Sequence, residues 1–184
     1  MISTNRKPNH EISEVILNRW SPRAFSSKPV ADDVLNRILE AARWAPSAYN
    51  IQPWRFIVAK TPAQLETFYS FLIDANLVWV KNAPAIAILV SEKSYDMHAF
   101  DTGSAWGFLA LQATKGGLIT HPMGGMDKDK AREVLGVPDE YEIQISIAIG
   151  YQGDASILPE KLQAREVPSS RKPLEEIVFE GTFK

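Results

Sequence analysis

The chain contains no cysteine. That excludes disulfides, thiolate nucleophiles and cysteine-ligated metals, and it fits a reducing compartment. Neither sign of charge is in excess: 20 Lys and Arg face 22 Asp and Glu, for a formal −2 at pH 7. No electrostatic attraction toward nucleic acid or an anionic membrane is expected from that balance. Long apolar runs are missing too. The longest, Ala83 to Val90, falls far short of the ~20 residues of a membrane helix. Met1 to Glu14 is polar with no apolar core, so no signal peptide is expected, and the expected location is cytoplasmic. His10, His98 and His121 lack zinc spacing. Asp96, His98 and Asp101 are close in sequence but read as the polar start of a helix, so no metal site is expected. There is no G-x-G-x-x-G, no Walker loop, no G-x-S-x-G elbow and no evident carboxylate pair. A chain with no visible nucleophile, metal or general base does chemistry, if it does any, through a bound cofactor.

What is present suits a folded protein. A hydrophobic fraction of 45% and a charged fraction of 23% are ordinary for a globular chain. Its 184 residues suffice for a real core, and no repeat or linker interrupts them, so one domain over 1–184 is expected. Met1 to His10 reads as a loose polar arm and Glu11 to Asn18 as a short helix. Ala31 to Trp44 carries Val34, Leu35, Ile38, Leu39 and Ala42 as one stripe, the clearest helix. Arg55 to Lys60 reads as a strand, and Thr61 caps a helix starting at Pro62. Ile73 to Asn82 is ambiguous. Ala85 to Val90 reads as a strand covered on both faces, and His98 to Lys115 as a long helix with Gly103, Ser104 and Gly107 on a small-residue face. Leu118 to Thr120 reads as a short strand, followed by a tight loop from His121 to Met126 and a helix capped by Asp127. Glu142 to Ile149 alternates as a strand with one strongly apolar face. Beyond Gly150 the pattern fades into a long irregular tail, in which Val178 and Phe179 suit a terminal strand.

Two stretches carry polar groups in patterns that a connector does not need. In Arg19-Trp20-Ser21-Pro22-Arg23, Pro22 forbids a helix, and an extended backbone puts Arg19, Ser21 and Arg23 on one side. Two guanidinium forks and a hydroxyl suit a phosphate, although two solvated arginines explain the same residues. In Ala45 to Trp54, Pro46 and Pro53 stiffen a loop that holds Ser47, Asn50 and Gln52. The residues before the prolines, Ala45 and Gln52, are expected to be extended, which would point both amides one way, toward a flat polar-edged ring. A helix-ending loop whose amides satisfy nearby backbone is the plainer alternative.

Taken in order, these stretches cease to be independent. Arg19-x-Ser21-x-Arg23-x-Phe25, Ala41 to Trp54, Asp101 to Trp106, Pro122 to Asp127 and Ser170 to Leu174 together resemble the flavin-dependent nitroreductase family over nearly the whole chain. The resemblance implies an α+β fold, a central and mainly antiparallel sheet flanked by helices, with a C-terminal arm wrapping the partner of a homodimer. It implies FMN at both subunit interfaces and NAD(P)H as a transient reductant. By position, Arg19, Ser21, Arg23 and Arg171 would hold the FMN phosphate and ribityl chain. Pro46, Ser47, Asn50 and, with less weight, Gln52 would approach the ring from the other subunit. Pro122, Met123, Gly124 and Gly125 match the loop whose backbone N–H faces flavin N5. The implied reaction carries hydride from NAD(P)H through N5 to a nitroaromatic, quinone or similar flat acceptor. Relatives use the same flavin for dehalogenation or enoyl-type reduction, and a non-catalytic FMN-binding or storage protein is a further alternative. Two positions depart from the pattern: Gly124 stands where many members have Glu, and Ser169 where many have a second basic residue, for which Lys172 is a substitute close in sequence.

Overall fold

The computed structural model describes residues 6–183. The order is α1 (Glu14–Asn18), β1 (Phe25–Ser26), α2 (Asp32–Arg43), β2 (Trp54–Ala59), α3 (Pro62–Tyr69), α4 (Asp74–Val80), β3 (Ala85–Glu92), α5 (His98–Lys115), β4 (Ile119–Met123), α6 (Lys128–Leu135), β5 (Tyr141–Gln152) and α7 (Glu160–Gln163). The sheet runs β1-β5-β3-β2, with β4 also paired to β5. Every pairing is antiparallel. The ambiguous Ile73–Asn82 stretch is thus helix α4.

Alternation along β3 builds the layers. Ala85, Ala87 and Leu89 face α2 and α5, meeting Leu35, Ile38, Ala105, Leu109 and Ala113. Ile86, Ile88 and Val90 face the other side, where Phe68, Phe71, Trp79 and Ala131 come from α3, α4, α6 and their connections. The sheet is therefore sandwiched between two helical layers, and each large buried side chain contributes about 1.5–3 kcal/mol.

β5 departs from its expected single apolar face. Leu89 pairs with Ile145 but Val90 pairs with Ile143, so Gln144 is an extra residue, a β-bulge. The bulge reverses the alternation. Ile145, Ile147 and Ile149 face α2 and α5, whereas Ile143 faces the opposite layer. The freed Gln144 Nε2 donates to the buried Ser91 Oγ at 2.8 Å, and Ser91 also bonds His98 Nδ1 at 2.8 Å.

Local signals set the ends of several helices. Thr61 and Gln64 form a capping box on α3. Asp127 Oδ1 accepts the Lys130 N–H at the start of α6, and Gly136 closes it at φ 62°. Two expectations in the later chain are corrected. The β4 ladder continues through His121, Pro122 and Met123, so the tight loop is only Gly124 to Met126. Val178 and Phe179 form no strand; the tail ends in a short 3-10 turn at Leu174–Glu176. No described helix is long and apolar enough to cross a membrane.

Candidate functional site

An arginine cluster occupies one end of the sheet. The Arg19–Arg23 segment is extended, as Pro22 requires, and two contacts fix it. Glu166 Oε1 accepts the N–H groups of Arg23 and Ala24 at 2.6 and 2.7 Å. The Pro22 carbonyl meets His121 Nδ1 at 2.9 Å. Burial drives the His121 pKa down to about 4, with a smaller push from the nearby Arg23 charge. A neutral imidazole, resting 4.6 Å from the Trp79 ring, thus pins this segment to β4. Arg19 Nη1 donates to Ser21 Oγ at 3.3 Å. Burial lowers the Arg19 pKa, and the charges of Arg171 and Arg6 lower it further. Four arginines, 6, 19, 23 and 171, have no carboxylate within ion-pair distance among the described residues.

The proline-bounded loop lies elsewhere, and its backbone is not what the prolines suggest. Ala48–Asn50 forms a 3-10 turn. Tyr49, Asn50 and Gln52 have φ of 51°, 58° and 55°. Gln52 is therefore left-handed, not extended, and the two amides are not aligned as in a strand. Tertiary bonds overcome the local preference. Asp101 Oδ2, buried in the first turn of α5, accepts the Ala48 N–H at 2.8 Å and the Tyr95 hydroxyl. Ser47 Oγ accepts the Gln52 N–H at 3.0 Å, and Gln52 Nε2 donates to the Asn50 carbonyl at 3.1 Å. Ser47 keeps its O–H free to donate.

The third group, Pro122 to Gly125, continues from β4. α4 holds it: the Gly125 carbonyl accepts the Ile73 N–H at 3.3 Å and Asn76 Nδ2 at 2.9 Å. A Cβ on Gly125 would stand 2.4 Å from Ile73 Cδ1, so a larger residue here has to push the Ile73 side chain aside. A Cβ on Gly124 would meet nothing within 4 Å.

Two rulers separate the loop from the arginine cluster. Trp54 lies in register with Ser91 and Glu142, while Phe25 pairs with Gln152, ten residues further along β5. That is roughly 30 Å at about 3.3 Å per residue. The loop is tied to Asp101, whereas Asn18 and Trp20 line a cleft with Thr114 and Lys115. Those points lie roughly 20 Å apart along α5 at about 1.5 Å per residue. A flavin nucleotide does not bridge such distances within one chain.

The sequence model of the Nitroreductase family matches residues 16–78 and 74–151. The chain belongs to the nitroreductase family. A crystal structure described as an oxidoreductase containing FMN superposes with a TM-score of 0.96 at 42% identity, covering 100% of this chain and 98% of that one. A Thermus thermophilus protein named NADH dehydrogenase is 28% identical across 89% of this chain and 92% of its own length. An iodotyrosine deiodinase of Thermotoga neapolitana is 28% identical across 74% and 86%. Nitroreductase-family members are FMN-dependent oxidoreductases, and this chain is an enzyme of that type.

The residues of this nitroreductase fit an FMN phosphate. Gathered guanidiniums that lack a carboxylate partner lower one another's basicity. A phosphate of about −1.5 to −2 charge offsets that repulsion. Of the residues expected at the site, Arg19, Ser21, Arg23 and Arg171 share one end of the sheet. Pro46, Ser47, Asn50 and Gln52 share the other; Pro122 and Met123 stand on β4, and Gly124 and Gly125 in the loop after it. Four contributors escaped the sequence reading. Arg6 sits in a polar arm without periodicity. Glu166 and His121 act on backbone groups 142 and 99 residues away. Asp101 left a trace, since it opens one of the motifs that carried the resemblance.

Proposed function

We propose that the protein is a homodimeric FMN-dependent NAD(P)H oxidoreductase whose two sites lie between subunits. The separation of the arginine cluster from the Pro46–Gln52 loop carries this reading, because one chain supplies only half of the binding groups. A second copy supplies the other half. The exposed face of α5 suits that partner: Phe100 and Phe108 flank Gly103 and Gly107, where an added Cβ meets nothing within 4 Å. Tyr49 at the loop tip is 98% exposed. Residues 172–183 are exposed and are available to wrap the partner.

In this arrangement Arg19, Ser21, Arg23 and Arg171 hold the phosphate and ribityl oxygens. Ser47 and Asn50 of the partner subunit present an O–H and an amide to the ring edge, with Pro46 and Gln52 beside them. The Gly125 N–H donates to no other described backbone group and is free to donate to the cofactor. Held by these residues, FMN would supply the redox chemistry that carries hydride from NAD(P)H to an acceptor. The chain's own residues position the two reactants in turn and exclude solvent from the ring, so no side chain need gain or lose a proton. The acceptor class that suits such a site is a flat electrophile such as a nitroaromatic or quinone. Reductive dehalogenation is the second reading, supported by the deiodinase relative.

The test is an absorbance spectrum of purified protein under nitrogen before and after NAD(P)H. Bleaching of the oxidised flavin band, followed by its return with a nitroaromatic or quinone, is expected. Flavin that stays oxidised would leave a binding protein, and return only with a halophenol would favour dehalogenation. The double variant Arg19→Ala, Arg23→Ala is expected to purify colourless. A yellow double variant with full FMN content refutes the phosphate assignment, and a stable FMN-loaded monomer refutes the shared site.

A further inference from the structure

We propose that Arg6 belongs to the phosphate clamp, tying its two halves together and adding its charge to them. The inference rests on the phosphate being bound at Arg19 and Arg171.

The geometry is specific. Arg6 Nη1 donates to the carbonyls of Leu17 and Arg19, each at 2.9 Å. Arg6 Nε donates to the Ser169 carbonyl at 2.9 Å, across 163 residues of sequence. The same carbonyl accepts Arg171 Nη1 at 3.4 Å, so two guanidiniums converge on Ser169. Arg6 Nη2 is buried with no partner. One side chain therefore joins the segment that carries Arg19 to the segment that carries Arg171. The fork does this with three bonds to backbone, which a lysine ammonium on a flexible stem cannot reproduce. The cluster repels itself without an anion: burial and the Arg171 charge lower the Arg6 pKa, just as Arg6 and Arg171 lower that of Arg19. Clustering three cations at a cost in burial and repulsion, with no described carboxylate at ion-pair distance from them, makes physical sense when a dianion completes the set. The Ser169 carbonyl, two residues before Arg171, anchors this N-terminal cation to the tail.

The experiment follows flavin release on dilution of the flavin-loaded full chain, read by the fluorescence of free flavin. FMN is compared with riboflavin, which lacks the phosphate. Arg6→Ala is expected to raise the FMN Kd roughly 10- to 100-fold, the range for losing charge-assisted bonds, and to leave the riboflavin Kd within about twofold. Arg6→Lys, which keeps the charge and loses the fork, is expected to fall between wild type and Arg6→Ala for FMN. Thermal melts of both variants establish that they fold, and Arg6→Lys carries the test should Arg6→Ala fail to. An unchanged FMN Kd in Arg6→Ala overturns the proposal, as does an equal loss for FMN and riboflavin. Arg6→Lys matching wild type overturns the tying role. Arg19→Ala serves as the control. FMN loss in Arg19→Ala without loss in the Arg6 variants removes Arg6 and leaves the phosphate site intact. A wild type that holds FMN no better than riboflavin removes both.

Discussion

Asp101 is the point at which the fold controls the loop, and replacing it separates charge from shape. One buried oxygen, Oδ2, accepts both the Ala48 N–H and the Tyr95 hydroxyl. In Asp101→Asn an amide oxygen can occupy the same place and accept both bonds, so only charge assistance is lost. Charged acceptors are worth about 1.5–3 kcal/mol per bond against about 1 for neutral ones, which sets the cost of Asn at about 1–2 kcal/mol. Asp101→Ala removes the acceptor and strands the Ala48 N–H, for about 3 kcal/mol or more. A chain of this size loses about 2–4 °C per kcal/mol, so Ala should lower Tm by about 6–12 °C and Asn by about one to two thirds as much. Protein concentration is held constant, because the proposed dimer would make Tm concentration-dependent. Tyr95 gives a second readout. Burial, then the Asp101 bond and charge, push its pKa up to about 12. A raised pKa favours the protonated fold, so this contribution is complete below about pH 10 and fades as pH rises through about 12. Absorbance at the phenolate band, assigned by comparison with Tyr95→Phe, should place Tyr95 nearer 10 in Asp101→Ala. Equal, small losses in Asn and Ala with Tyr95 still titrating near 12 would refute Asp101 as the loop's anchor.

Two further predictions come from the opposite face of the sheet. Gly125→Ala drives a methyl to 2.4 Å from Ile73 Cδ1 and 2.8 Å from its Cγ1. Overpacking of this kind costs about 1–3 kcal/mol, whereas Gly124→Ala, in open space, should be nearly neutral in a denaturant melt. His121, with its pKa held near 4, should remain neutral in an NMR titration down to that pH. An unfolded histidine gains its proton near 6.5, so this group's contribution, on the order of 3 kcal/mol, is present above pH 6.5 and lost as pH falls toward 4. A His121 resonance titrating near 6.5 would remove the neutral pin on Pro22.

Legibility in the sequence followed the range of the interaction. Thr61, Gln64, Asp127 and Gly136 cap helices a few residues away, and those helices were readable to within a residue or so. The stripe of Leu35, Ile38 and Ala42 and the run Ala85 to Val90 gave their elements because burial on a layer imposes period. The bulge at Gln144 was not readable, because isoleucine at 143, 145, 147 and 149 gives the same unbroken alternation whether or not the ladder slips. Gln52 misled for a related reason. The local bias of a residue before proline is small beside the Ser47 and Asp101 bonds that set this loop. Arg19, Ser21 and Arg23 were legible as a set since Pro22 enforces an extended segment. Arg6 was not, since its three partners are backbone carbonyls that no sequence pattern marks.

The same loop supplies an argument about cost and use. Left-handed backbone at a non-glycine residue costs about 1–3 kcal/mol, and this loop holds three such residues within four positions, Tyr49, Asn50 and Gln52. Its own chain returns little for that. Tyr49 is 98% exposed and Ile51 39%, so neither side chain packs inward enough to offset the strain. The anchors on Ala48 and Gln52 hold the shape from behind and leave the Ser47 O–H free to donate. A glycine at position 49 would adopt φ near 51° with far less strain, yet the chain has a large aromatic there. Strain that a monomer neither relieves nor uses makes sense when the presented groups, a hydroxyl at Ser47, an amide at Asn50 and the ring of Tyr49, work against something outside the chain. The arginine cluster has the complementary deficiency at the far end of β5: charge without a counterion. Two such incomplete halves on one sheet are what the proposed second copy would complete, each cluster meeting the other's loop.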